Sequence, residues 1–191
     1  EMSKFLLLLG PSGVGKSSII EELLRLDSRF VYISPFMTRP LREGEKNKIS
    51  ISDEEMNEMW NRGELLVINE LYGIHYATPR LPIVQALAQG NFPVLDWPIS
   101  RMEAMTQAFP SQLCVMYVSP PSIEALRQRL DKDGRDTYGH RLRSAHEELE
   151  AYKSSRYIGV CNFEIVAEEN QVPKIAHAIY TNYLQFLHQQ P

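Results

Sequence analysis

Only two cysteines occur in this 191-residue chain, and neither has the spacing of a metal ligand. Cys114 lies in the apolar run "LCVMYV" and is expected to be a buried, inert thiol. So few cysteines fit a protein of a reducing compartment. The sequence therefore argues against a disulfide framework and against a cysteine-based metal site.

Long apolar runs and a strong charge of one sign are also missing. The N-terminal "KFLLLL" is too short to cross a membrane, and it leads into a glycine loop rather than a cleavage site. The formal net charge of −4 disfavours a general nucleic-acid binder or a membrane-surface protein. We expect a soluble, cytoplasmic protein, monomeric or homodimeric, with no nucleic-acid or membrane partner.

Short apolar strands alternate with amphipathic helices along most of the chain. The predicted strands are Lys4–Leu9, Phe30–Ile33, Phe92–Trp97, Gln112–Val118 and Phe163–Ala167. The predicted helices are residues 16–26, Leu81–Gln89, Arg101–Ala108, Ser122–Asp131, Arg141–Lys153 and Val172–Leu187. This alternation predicts an α/β protein with a parallel sheet covered by helices on both faces.

The stretch from Arg39 to Thr78 has a different pattern. Short strands "ISIS", "ELLVINEL" and "GIHYAT" surround one acidic helix, "DEEMNEMWNRG". We predict one domain over residues 1–191, with a core of residues 1–33 and 79–191 and a small mixed insertion at about 34–78.

The segment "GPSGVGKS" fits the phosphate-binding loop pattern G-x-x-x-x-G-K-[ST]. It follows a predicted strand and opens a predicted helix, so its backbone N–H groups and the helix N-terminus form an anion nest. Lys16 is expected to reach the β- and γ-phosphates of ATP, and Ser17 to hold Mg²⁺. The predicted nucleotide-binding residues are Gly10, Pro11, Ser12, Gly13, Val14, Gly15, Lys16, Ser17 and Ser18.

A second anion site is predicted at "TRPLREGE", where Arg39 and Arg42 stand three apart. Guanidinium groups at this spacing suit a phosphate or a carboxylate. The chain has no N-K-x-D motif, which disfavours a GTPase. A phosphate loop with a separate arginine clamp indicates transfer of a γ-phosphate to a small acceptor.

From Lys4 to Leu149 the sequence resembles the guanylate kinase family. The resemblance rests on "GPSGVGKSS", "TRPLREGE", "GELLVINELYGIHYATP", "VLDWPIS", "SPPSIEALRQRL" and "DKDGRDTYGHRL". It implies a P-loop kinase fold with an acceptor-binding insertion and a lid at about residues 131–141. The implied activity is ATP- and Mg²⁺-dependent transfer to a phosphorylated acceptor, nominally GMP to GDP.

The resemblance also implies residue roles. Arg39, Arg42 and Tyr76 hold the acceptor phosphate, and Thr78 lies near the base. The lid arginines Arg135 and Arg141 act with Lys16 on the transferring phosphoryl group. Arg129 is a further candidate for the same role. Asp96 ends a strand where P-loop kinases place a Mg²⁺-associated carboxylate. The remaining acceptor-site candidates are Ser34, Glu70 and, in a second role, Asp96.

Several family positions in the acceptor site differ. The glutamate that pairs with guanine is replaced by Val67, the second aspartate of D-x-D by Pro98, and a phosphate-binding tyrosine has no counterpart in "KNKISIS". Two alternatives stay open. The shortened "EKNKISIS" and the lid "DGRD" resemble ribose 1,5-bisphosphate phosphokinases, and the losses also suit a non-catalytic guanylate kinase-like module that binds phosphorylated peptides.

Overall fold

Two β-sheets organise the residues that the computed structural model describes, which are 3–134, 136–154 and 160–189. The strands in chain order are β1 (Phe5–Leu9), β2 (Phe30–Tyr32), β3 (Phe36–Met37), β4 (Ile49–Ser50), β5 (Leu65–Leu71), β6 (Ile74–Pro79), β7 (Phe92–Asp96), β8 (Leu113–Ser119) and β9 (Phe163–Val166). The helices are α1 (Lys16–Leu26), α2 (Asp53–Asn61), α3 (Leu81–Ala88), α4 (Met102–Ala108), α5 (Ile123–Asp133), α6 (His140–Lys153) and α7 (Val172–His188).

The larger sheet has the strand order β2-β7-β1-β8-β9, and all its neighbouring strands are parallel. All five residues of β1 are fully buried, as expected for a central strand with covered faces. Leu6 and Leu8 pack with residues of α1 and α7, whereas Leu7 and Leu9 pack with residues of α3, α4 and α6. The predicted α/β class, with helices on both faces of a parallel sheet, is confirmed.

The smaller sheet has the order β4-β3-β6-β5 and is mixed. Helix α2 packs on one of its faces around Met56, Leu65 and Ala77. Ser52 caps this helix by accepting a hydrogen bond from the Glu55 N–H at 3.1 Å. Tyr76 and Thr78 lie in β6 of this sheet, and Arg39 and Arg42 lie in the connection between β3 and β4.

Most element bounds differ from the predicted ones by one or two residues. Helix α5 begins after Ser122, whose hydroxyl accepts from the Ala125 N–H at 3.0 Å, so this residue is the cap rather than the first helical residue. Strand β3 was not predicted, because two residues show no periodicity. Pro98 is extended and precedes a short 3₁₀ turn at Ile99–Arg101.

Cys114 is fully buried in the larger sheet, and burial raises the pKa of its thiol to about 12, which agrees with the inert role predicted for it. Within the described ranges, none of the helices has the length and apolar character needed to cross a membrane.

Asp27 ties the end of α1 to α7. Its carboxylate accepts hydrogen bonds from the Arg29 guanidinium at 2.7 Å and from the Tyr180 hydroxyl at 2.7 Å. Arg29 is the main cause that holds the pKa of Asp27 well below its usual range, and Tyr180 contributes. The stabilisation is therefore complete above the unfolded-state pKa of about 4 and is lost as the pH falls below it.

We expect Asp27→Asn to lower the free energy of unfolding by about 2 kcal/mol at pH 7, since it removes a charge-assisted pair. The difference should shrink at pH 3, where the Asp27 carboxylate of the unfolded chain is mostly protonated. Urea unfolding at both pH values measures it. Glu58→Gln is the control, because that carboxylate is 69% exposed and lies 3.9 Å from Arg62. An Asp27→Asn penalty of equal size at pH 7 and pH 3 would contradict the assignment.

Candidate active site

The phosphate loop joins β1 to α1 through three glycines with positive φ, namely Gly10 at 142°, Gly13 at 87° and Gly15 at 103°. Gly15 is the N-cap of α1, no described side chain caps this helix, and its first turn has no acidic residue. The first N–H groups of α1 are therefore suited to an anion. Ser12, Ser17 and Ser18 are exposed around this turn.

Strand β8 and helix α5 pack closely against the phosphate loop. A Cβ added at Gly10 would lie 2.2 Å from the Val118 carbonyl oxygen, at the end of β8. One added at Gly13 would meet Leu130 of α5 at 2.7 Å. At these positions only glycine fits both the backbone conformation and the space.

Two cations lie at the loop. Lys16 Nζ donates hydrogen bonds to the carbonyl oxygens of Gly10 and, at 3.5 Å, Pro11. Arg129 Nη1, from α5, donates to the Val14 carbonyl oxygen at 3.4 Å. The structure thus brings Arg129 to the phosphate loop, where its charge is available to a bound phosphate.

A buried carboxylate accompanies Lys16. Oε1 of Glu148, on α6, is buried and has no hydrogen-bond partner within the described ranges. Burial raises the pKa of Glu148, and the positive charge of Lys16 opposes that shift. The sequence reading missed this residue, because its helix resembled a solvated surface.

Asp96 ends β7 at the carboxyl edge of the larger sheet, paired in register with Leu8 of β1. Ser17 lies in the first turn of α1, the next element after β1, so both predicted metal ligands belong to the same edge of the sheet. The described residues contain no group of three or more His, Cys, Asp or Glu side chains that could hold a metal. Two protein ligands suit Mg²⁺, which commonly completes its shell with water and substrate phosphates.

The lid residues lie between α5 and α6. Asp136 accepts hydrogen bonds from the backbone N–H groups of Arg141 at 2.8 Å and Leu142 at 3.0 Å, which fixes the start of α6. Arg141 lines a cavity of about 230 Å³ that also borders Tyr72, at the tip of the β5–β6 hairpin. Arg135 lies outside the described residues.

Arg39 is held by a bidentate ion pair. Its Nη1 and Nη2 donate to the two carboxylate oxygens of Glu45 at 2.7 and 2.6 Å. The side chains are only 12% and 18% exposed, and the pair lowers the pKa of Glu45 to about 2. Nε of Arg39 is buried and lacks a partner among the residues described. The Nε–H group of Arg39 is therefore suited to donate a hydrogen bond to a ligand.

Glu45 gathers two more cationic residues. It accepts from the Arg42 backbone N–H at 3.0 Å, and Lys48 Nζ lies 3.6 Å from it. The same Nζ lies 5.4 Å from the ring centroid of Tyr76. Lys48 thus belongs to the segment "KNKISIS", in which the family's phosphate-binding tyrosine has no counterpart. Its position depends on the path of the loop from Arg42 onward, which no local pattern encodes.

The other predicted acceptor residues lie in and beside the smaller sheet. Tyr76 and Thr78 share one face of β6, since alternate residues of a strand point the same way. Thr78 is 4% exposed. Ser34 is half-buried in the connection between β2 and β3, and the side chain of Arg42 is exposed.

Glu70 does not join this group. The tight turn Tyr72–Gly73, with φ of 53° and 77°, sets a register in which Glu70 pairs with His75 and Asn69 pairs with Tyr76. His75 also lies 3.3 Å from Asp53, the first residue of α2. Glu70 therefore lies on the α2 face of the sheet, and its predicted place in the acceptor site is corrected. Asn69 shares the face of Tyr76 instead.

The register could have been read from the sequence. A tyrosine–glycine pair between two alternating apolar segments is compatible with a two-residue hairpin turn, and counting outward from it pairs Asn69 with Tyr76.

Comparison with known proteins identifies the family. The guanylate kinase family model matches residues 2–185. This chain belongs to the guanylate kinase family. The guanylate kinase of Nostoc sp. is 33% identical over 154 residues, which cover 78% of this chain and 77% of that protein. The guanylate kinase of Nitrosomonas europaea is 31% identical over 183 residues, which cover 93% and 90%.

Solved structures share the fold. A guanylate kinase from Anaplasma phagocytophilum superposes with a TM-score of 0.75 at 20% identity, covering 97% of this chain and 86% of that one. A shikimate kinase from Acinetobacter baumannii gives 0.53 at 16% identity, with coverage of 96% and 94%. By its family match and its curated relatives, the protein is a nucleotide-binding P-loop kinase and an enzyme of the nucleoside monophosphate kinase type.

Gly10→Ala tests the geometry of the phosphate loop. The added Cβ collides with the Val118 carbonyl, so the loop must shift and its N–H groups lose their alignment. We expect calorimetry with ATP and Mg²⁺ to show affinity reduced at least about tenfold, the equivalent of one lost hydrogen bond or more.

Gly90→Ala is the matched control. Gly90 also has a positive φ, 72°, but nothing lies within 4 Å of its added Cβ. This variant should lose about 1 kcal/mol of stability and bind ATP normally. Unchanged ATP affinity in Gly10→Ala would mean that the loop does not bind the nucleotide as described.

Proposed function

We propose that this protein catalyses ATP- and Mg²⁺-dependent transfer of the γ-phosphate to the phosphate of a small acceptor, nominally GMP to GDP, with weak selectivity for guanine. An acceptor phosphate oxygen attacks the γ-phosphorus, the bond from that phosphorus to the β–γ bridging oxygen breaks, and ADP leaves. The names of the relatives support a nucleotide acceptor.

The buried, unpartnered Nε of Arg39 carries the acceptor assignment. Leaving a buried charged donor unsatisfied costs on the order of 1–3 kcal/mol or more, so such a group favours a function. Glu45 occupies the Nη1–Nη2 edge and leaves the Nε–Nη2 edge for two parallel hydrogen bonds to phosphate. Arg42, Lys48 and Tyr76 lie around the same place and add charge or a hydroxyl donor.

On the donor side, Lys16 and Arg129 neutralise charge that develops on the β- and γ-phosphates. Arg141 would add positive charge to the transferring group from the lid, and Arg135 keeps the same predicted role. Mg²⁺ held by Ser17, with Asp96 through water, would neutralise and orient the phosphates. Phosphoryl transfer of this kind depends on position and charge, so no histidine is needed as a proton shuttle.

Weak base selectivity follows from the apolar Val67. Its side chain packs against the core around β1 and β7 instead of presenting an acceptor. Guanine has N1–H and N2–H donors, and a site without a carboxylate opposite them discriminates little. The same observation favours a sugar phosphate as a second candidate acceptor. Location in the cytoplasm and the oligomeric state stay predictions from the sequence.

A coupled assay of ADP release tests the proposal with GMP, AMP and ribose phosphates as acceptors. We expect turnover with GMP and a kcat/KM ratio of GMP to AMP below about tenfold, because no carboxylate opposes the base. Ribose 1,5-bisphosphate as the preferred substrate would favour the second candidate. A GMP preference above about a hundredfold would contradict the argument from Val67, and no turnover with any acceptor would contradict the proposed reaction.

Arg39→Ala should reduce kcat/KM for the acceptor roughly 100-fold, or about 2.7 kcal/mol, because it removes a bidentate pair and leaves Glu45 without its partner. The KM for ATP should change less than about twofold. Arg62→Ala is the control, since this arginine of the same subdomain is 58% exposed and pairs only at the surface. A large rise in the KM for ATP would mean that Arg39 faces the donor.

A further inference from the structure

Asn69 carries a second orphaned polar atom in the smaller sheet. Its Oδ1 is buried and has no hydrogen-bond partner in the part of the chain described here. Buried amide oxygens in native proteins are almost always bonded, so an exception requires an explanation. A bound ligand that donates a hydrogen bond is one such explanation.

The hairpin register places this amide beside the acceptor phosphate site. Asn69 lies directly opposite Tyr76, which in turn pairs with Met37 on its other side. Directly paired residues have Cβ atoms about 5 Å apart and point to the same face of a sheet. Tyr76 is also the residue whose ring lies near Lys48. The amide therefore belongs to the same face as the cationic groups.

The phosphate itself cannot satisfy Oδ1. An amide oxygen only accepts hydrogen bonds, and a phosphate dianion has no hydrogen to donate. The partner must be an N–H or O–H in the part of the acceptor next to its phosphate. Resting on the proposed function, we infer that Asn69 is an acceptor-binding residue, whose Oδ1 accepts a hydrogen bond from an N–H or hydroxyl group of the accepting molecule.

This role explains weak base preference in chemical terms. A carboxylate accepts two hydrogen bonds and therefore matches the N1–H and N2–H donors of guanine. The amide of Asn69 accepts at Oδ1 and donates at Nδ2, which is a combination that both adenine and guanine edges can meet. Asn69 therefore binds a donor without selecting guanine strongly.

Asn69→Leu gives a sharp test, because it replaces the amide with an apolar side chain of similar size. Removing an unsatisfied buried polar group should leave the Tm of the ligand-free protein unchanged or higher. The KM for GMP should rise about tenfold, and the rise in Tm that saturating GMP causes in the wild type should be lost. A structural asparagine would behave in the opposite way, with a lower Tm and an unchanged KM.

Two acceptors distinguish the source of the donor. If a base N–H bonds Oδ1, Asn69→Leu affects GMP but not ribose 5-phosphate. If a sugar hydroxyl does so, both acceptors lose affinity to a similar extent. Binding of each acceptor is measured by the shift in Tm as well as by turnover, so the test does not depend on activity.

Asn57→Leu is the matched control. Asn57 is exposed on α2, the helix that packs on the other face of the smaller sheet. It should leave the KM for GMP and the GMP-induced shift unchanged. A wild-type KM and a wild-type Tm shift in Asn69→Leu would overturn the inference. A third outcome would contradict only the proposed reaction: the wild-type protein shows no turnover but keeps its GMP-induced Tm shift, and Asn69→Leu loses that shift.

Discussion

The acceptor half of the site depends on the ion pair between Arg39 and Glu45. One carboxylate holds the end of the Arg39 guanidinium, the backbone of Arg42 and, more distantly, the ammonium of Lys48. The hydrogen bonds from Arg39 lower the pKa of Glu45 to about 2, so this carboxylate stays ionised over the whole physiological range. The loop between β3 and β4 is thereby folded around one carboxylate, which holds two cationic side chains close together.

The donor half relies on a different means of binding an anion. There the backbone N–H groups of the phosphate loop supply the donors, and the loop needs glycine at Gly10 and Gly13 because β8 and α5 press against it. Backbone donors give a rigid cradle for a phosphate, whereas the proposed acceptor half relies on the side chains of Arg39, Lys48 and Tyr76.

Local patterns sufficed for the donor half. The phosphate loop, the strand before it and the helix after it are consecutive in sequence, so their order and spacing carry the chemistry. The parallel sheet followed from the alternation of strands and helices. Arg129 lies at Val14, although 115 residues separate the two, and its role in catalysis stays a prediction.

The acceptor half of the site could not be predicted from the spacing of sequence motifs alone. Glu70 was assigned to the site because it is acidic, and a shift of one residue in a strand reverses the face that it occupies. The hairpin register places Asn69 there instead. Lys48 reaches Glu45 and Tyr76 only because the loop folds back. Arg135 lies outside the described residues, so its role stays a prediction.

A crystal structure with GMP and a non-hydrolysable ATP analogue would test the central claim most directly. The account predicts that Arg39 keeps both hydrogen bonds to Glu45 while its Nε and Nη2 donate to two oxygens of the GMP phosphate, at about 2.7–2.9 Å. A GMP phosphate bound away from the Nε edge, or an Arg39 that leaves Glu45 to reach the nucleotide, would contradict it.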